Sequence, residues 1–133
     1  MPNDVVLFNL MYLFHVIDDF GLQGIMASMK QKDWWKKQEG YCDKYKDDWT
    51  MALFMHSLSW SVFITLPVFW YFNFQVGAIW NWIIIANTLI HYWVDNLKAN
   101  KKKINLIQDQ TYHMLQIIAT GTIAVAMKTL QGI

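Results

Sequence analysis

The chain has 133 residues, 55% of them hydrophobic and 17% aromatic, with only 16% charged and a net charge of +1. Ordinary globular proteins carry about 25% charged residues, so the composition points to lipid as the solvent, and a mean hydropathy of only +0.16 reflects charge concentrated in one long loop. All eleven basic residues are lysine, which removes the planar guanidinium favoured in nucleic-acid recognition; the single Cys42 excludes an intramolecular disulfide and a cysteine-based zinc cage.

The opening residues, MPNDVV, have no basic region and do not resemble a signal peptide. A first transmembrane helix is expected over about 5–27, long enough to span but carrying His15, Asp18 and Asp19 in the stretch FHVIDDFGLQ. Ionised carboxylates in an apolar helix are costly, so this pair must be solvated, paired, neutralised or bound.

The cytoplasmic loop expected over 28–50 holds six lysines among Trp34, Trp35, Tyr41 and Tyr45, the texture of an interfacial helix or loop at headgroup depth. Spans over 51–72, 76–97 and 104–127 follow, each near the 20 or so residues a bilayer core requires. The second contains Pro67, a tolerable kink in a bundle. A tight uncharged turn near 73–75 joins the second and third, and the lysine-rich KANKKKIN joins the third and fourth. The first and third loops together hold ten of the eleven lysines. The positive-inside rule then places both in the cytoplasm and both termini outside. The expected fold is an all-α integral membrane four-helix bundle, multi-pass in its membrane.

Each expected helix contains one histidine: His15, His56, His91 and His113. His15 and Asp19, His91 and Asp95, and Asp109 and His113 are each four residues apart, so each pair shares a helix face. At about 1.5 Å per residue, all four helices bring these groups to one layer in the cytoplasmic half. A lone histidine in such a helix is ordinarily hydrogen-bonded to a neighbour, and interhelical His–Asp pairs can act as polar glue worth about 1 kcal/mol. A shared layer points further, because divalent cations keep carboxylates ionised and take neutral imidazole as ligand.

The candidate ligands are His15, Asp19, His56, His91, Asp95, Asp109 and His113, more than one tetrahedral zinc requires. One ion with outer carboxylates, or two ions about 3.5 to 4 Å apart, would use them. Zinc, manganese and iron all suit the set. Asp18 is a candidate catalytic base or bridging ligand, or simply faces water; Gln23 and Gln110 are candidate hydrogen-bonding supports. Lys30 and Lys98 border the site, as solvated loop lysines or as groups that gather a phosphate-bearing substrate.

HVIDDFGLQ followed by Lys30, HYWVD with Lys98, and DQTYH are similar to the motifs of a family of small bacterial and phage membrane proteins, a domain of unknown function. That family has an opening His-x-x-x-Asp-x-x-x-Gln, a later His-x-x-x-Asp and a closing Asp-Gln-x-x-His. More distantly the chain resembles the membrane-bound metal-dependent hydrolases, and through them the zinc phospholipases C. The resemblance implies a metal-dependent hydrolase acting on phosphoesters, with His15, Asp19, His91, Asp95, Asp109 and His113 at the matching positions; His56 matches no motif and rests on depth alone. The competing expectations are an ion or proton channel or transporter using the same ring, with an oligomer forming the pore, and a small structural or regulatory membrane protein with a structural metal. The expected partners are membrane lipid, a phosphate-bearing substrate and a second copy of the chain, with no nucleic acid.

Overall fold

In the computed structural model, which describes residues 3–131, the described secondary structure is entirely helical. Asn3 caps the first helix by accepting a hydrogen bond from the Val6 amide, satisfying a donor that the first turn leaves open. This helix, α1 (Asp4–Val16), passes into a π-helical stretch, Ile17–Leu22. Gly24 follows with φ +47°, a conformation costly for other residues. The opening helix therefore ends at Leu22, short of the expected 27, and the chain turns into two four-residue helices, α2 (Met26–Met29) and α3 (Lys32–Trp35).

Three further long helices complete the fold: α4 (Asp48–Tyr71), α5 (Ile79–Ala99) and α6 (Leu106–Gln131). Asn73 and Phe74, both in the left-handed region, make the α4–α5 turn. At the start of α6, Asn105 Oδ1 accepts from the Gln108 amide while Gln108 Oε1 accepts from the Asn105 amide. This reciprocal cap sets Asp109 in the first turn of α6. The four long helices close a ring of contacts in which α1 packs on α4 and α6, and α5 packs on the same two.

The interior has two halves. Toward the α4–α5 turn, Leu7, Met11, Ile64, Val68, Trp80, Ile117 and Ala124 form a continuous apolar core. Toward the opposite end the buried side chains include His15, Asp18, Asp19, Lys30, His56, His91, Asp95, Asp109 and His113. Among the described residues two helices, over Asp4–Leu22 and Asp43–Tyr71, are long and apolar enough to cross a membrane.

The packing of α1 on α6 depends on Gly121. A Cβ there would overlap the Phe8 ring, so any larger residue must push the ring aside. Gly121→Val is expected to lower stability by about 1–3 kcal/mol, as overpacking does. Denaturant titration checks it, and Phe8→Ala in the same chain should recover part of the loss.

Candidate metal centre

Both adjacent aspartates of the π-helical stretch, Asp18 and Asp19, face inward, only 2% and 9% exposed, in a conformation that often marks functional sites. They reach different partners. Asp18 Oδ1 accepts from the Ser59 hydroxyl at 2.6 Å, and its Oδ2 lies 3.9 Å from His56 Nδ1. Asp19 Oδ1 lies 3.4 Å from the other nitrogen of the same ring, His56 Nε2.

His56 is therefore central, although no motif singled it out. Its Nε2 stands 3.1 Å from His91 Nε2 and 3.3 Å from Asp95 Oδ2. Asp95 Oδ1 lies 3.7 Å from His91 Nε2 and 3.2 Å from His113 Nε2, which is itself 3.5 Å from Asp109 Oδ1. Two groups, Asp19–His56–His91 and His91–Asp95–His113, each bring three ligand atoms within 4.8 Å of one another, with His91 common to both. These buried groups could hold a metal ion. Zinc bonds of about 2.0–2.1 Å make the edge of a coordination tetrahedron about 3.3 Å, and the separations of 3.1 to 3.7 Å cluster around that edge. One imidazole nitrogen facing another at 3.1 Å is repulsive when both present lone pairs, and a cation between them removes the conflict. Asp109 Oδ1 is buried with no hydrogen-bond partner, an acceptor left open.

Surrounding groups set the orientation of these ligands. The Trp60 indole N–H donates to His15 Nδ1 at 2.8 Å, so His15 carries its proton on Nε2 and donates it to Gln110 Oε1 at 3.1 Å. The Gln110 amide then donates to Asp19 Oδ2 at 2.8 Å and to Asp109 Oδ2 at 3.1 Å. Both nitrogens of His15 are thereby occupied. The sequence pairs it with Asp19 as a ligand; in the structure it is joined to that carboxylate through the Gln110 amide. Gln23 donates to Asp19 Oδ1. Asp18 sits across the His56 ring from the cluster, its Oδ2 buried without a hydrogen-bond partner.

Trp60 also stacks on His91 with centroids 4.3 Å apart, and His91 stacks on His113 at 4.1 Å. Nothing in the sequence marks Trp60 for this position, because an indole at an apolar helical position carries no sign of its partner.

Both candidate substrate lysines turn inward. Lys30 Nζ lies 2.6 Å from Asp95 Oδ2, and Lys98 Nζ lies 2.6 Å from Asp109 Oδ2. Asn100 holds the first of these in place, since its side-chain amide donates to the Lys30 carbonyl and accepts from the Lys32 amide. Above the cluster is a cleft of ≈ 420 Å³ whose walls include Asp19, Gln23, Lys30, Lys98, Lys102 and Gln110. Four buried carboxylates and two ammonium groups leave two negative charges to be met when the histidines are neutral.

Comparison with known protein families, characterised proteins and solved structures gives no match to this chain.

Proposed function

We propose that the chain is a four-span membrane protein carrying a divalent metal centre that hydrolyses a phosphoester at the lipid surface. The observation that carries the reading is the convergence of three imidazoles and the Asp19 and Asp95 carboxylates beneath a lysine-walled cleft. Membrane embedding is supported by an inverted distribution of side chains. On α5, Trp82, Leu89 and Trp93 are 68%, 60% and 56% exposed while Asn87, Thr88, His91 and Asp95 are buried. Water would not tolerate so much apolar surface on a free monomer, whereas hydrocarbon favours it and makes inward polar groups a functional mark. The lysine-rich end then faces the cytoplasm.

A divalent ion, when bound, lowers the pKa of a water toward about 7 and offsets charge on phosphoryl oxygens; zinc and manganese fit the donor set best. The side chains supply the rest. Lys30, Lys98 and Lys102 on the cleft wall attract and orient the anionic group. Asp109, outside both three-ligand groups and with Oδ1 unpartnered, is placed to accept the proton of the attacking water.

One feature favours an ion or proton path instead: the chain from His113 to Gln116, Asn87 and Thr120 is hydrogen-bonded throughout. It stops at Ile117 and Ala124 in the apolar core. The buried hydroxyls of Ser57, Ser61 and Thr65 donate to their own helix backbone and offer no continuation. Hydrolysis is thus the better-supported reading.

Elemental analysis of detergent-purified protein, paired with a phosphoester panel, tests it. About one or two divalent ions per chain and metal-dependent turnover are expected. Failure to retain or take up metal on reconstitution would overturn the metal centre, and full metal content without turnover would leave a purely structural metal.

A further inference from the structure

The two ammonium groups stand where they compete with a metal ion. Lys30 Nζ occupies Asp95 Oδ2, the same oxygen that lies 3.3 Å from His56 Nε2. Lys98 Nζ pairs with Asp109 Oδ2, and the other oxygen of that carboxylate lies 3.5 Å from His113 Nε2, so the Lys98 charge opposes a cation beside the second three-ligand group without holding one of its ligand oxygens. A carboxylate oxygen held by an ammonium at 2.6 Å is a poorer metal ligand, because its lone pair and charge are already engaged. The Lys30 ammonium is also nearly cut off from water, with its side chain 9% exposed, an arrangement that persists only while a counter-charge is present.

Both lysines belong to the wall of the cleft as well. They reach it on flexible four-carbon stems, so a small swing would take each ammonium from its carboxylate into the cleft beside Lys102. A divalent ion at the cluster would supply the charge that they now supply, and would repel them. Once released, they would present cationic donors to an anion in the cleft.

Resting on the metal-centre reading above, we propose that Lys30 and Lys98 are exchangeable counter-cations: a divalent ion displaces their ammonium groups from Asp95 and Asp109 into the cleft, where with Lys102 they form the phosphate site. The site therefore loads in order, metal first and phosphate group second. Without metal the lysines neutralise the cluster and the phosphate site is dismantled. The two ligands bind with positive coupling, which must be reciprocal.

Mn²⁺ and inorganic phosphate are suitable probes, because free Mn²⁺ is counted by its paramagnetic resonance signal and bound Mn²⁺ broadens the phosphorus resonance of a nearby phosphate. In the wild-type protein, phosphate should tighten Mn²⁺ binding by about tenfold, and Mn²⁺ should tighten phosphate by the same factor. Lys30→Met and Lys98→Met should each bind Mn²⁺ more tightly than wild type and lose most of the phosphate coupling. Lys102→Met, which removes a cleft lysine that touches neither carboxylate, should leave Mn²⁺ affinity unchanged and weaken phosphate alone. Should Lys30→Met fold only with Mn²⁺ present, the milder Lys98→Met still decides the affinity comparison. Mn²⁺ binding that is unchanged or weaker in both Lys30→Met and Lys98→Met would overturn the exchange while leaving the metal centre intact. Absence of Mn²⁺ binding in every variant would overturn both.

Discussion

His91→Ala is expected to reduce metal affinity by more than about 100-fold and to abolish hydrolysis. Changes in groups that merely support ligands already cost about 10–100-fold, and His91 is the one side chain common to both three-ligand groups. Its loss leaves, among the described residues, no three ligand atoms that all stand close to one another, where a stable site needs three or four. His56→Ala should be less severe, since the His91–Asp95–His113 group survives it. A packing effect must be separated from this. The His91 ring is fully buried between Trp60 and His113, so its removal also opens a cavity and costs stability. Mn²⁺ titration followed together with the near-ultraviolet circular dichroism of the packed aromatic side chains distinguishes the two. A folded His91→Ala protein that binds Mn²⁺ within about fivefold of wild type would remove His91 from the ligand set, since a loss that small lies below even what supporting groups cost.

Much of this centre is legible in the chain itself. The i,i+4 pairs HYWVD and DQTYH place His91 with Asp95 and Asp109 with His113 because α5 and α6 are regular α-helices through those residues, so arithmetic on 3.6 residues per turn holds there. The same arithmetic fails in FHVIDDFGLQ. The helix widens into a π turn at Ile17, a change of hydrogen-bond register that no side-chain pattern encodes. Asp18 and Asp19 both lie inward in this stretch, and His15 meets Trp60 and Gln110. Lys30 and Lys98 read naturally as loop lysines obeying a charge rule. Their inward turn depends on Asp95 and Asp109 sixty-five and eleven residues away, and on the Asn100 clamp, none of which is a local signal. Conversely, His56 is central because α4 lies between α1 and α5. Depth alone could suggest its membership of the layer, but not its position.

Asp95→Asn, nearly identical in shape, is expected to cost about 3–5 kcal/mol in metal-free protein. Removing one partner of a buried ion pair leaves the other charge uncompensated, and the Lys30 ammonium, 9% exposed, has Asp95 as its ion-pair partner at 2.6 Å. The loss therefore comes less from an attraction forgone than from a cation left in a dry interior. Lys30→Met added to Asp95→Asn should accordingly restore most of the stability, because replacing both members of such a pair is often nearly neutral. That non-additivity, read from a double-mutant cycle by denaturant titration in chelator, isolates the pair. Metal provides the second axis. Wild-type protein should gain about 2.7 kcal/mol at an Mn²⁺ concentration 100 times its dissociation constant, whereas both Asp95→Asn chains should gain less at that same concentration, having lost the carboxylate that joins His56, His91 and His113 and keeping only the Asp19–His56–His91 group. Rescue of the fold without rescue of the metal response would assign to Asp95 two separable duties, one toward Lys30 and one toward the ion. A single Asp95→Asn cost below about 1 kcal/mol, in the range of exposed pairs, would mean that Lys30 reaches water in solution and that the buried pair does not hold this end of the fold together.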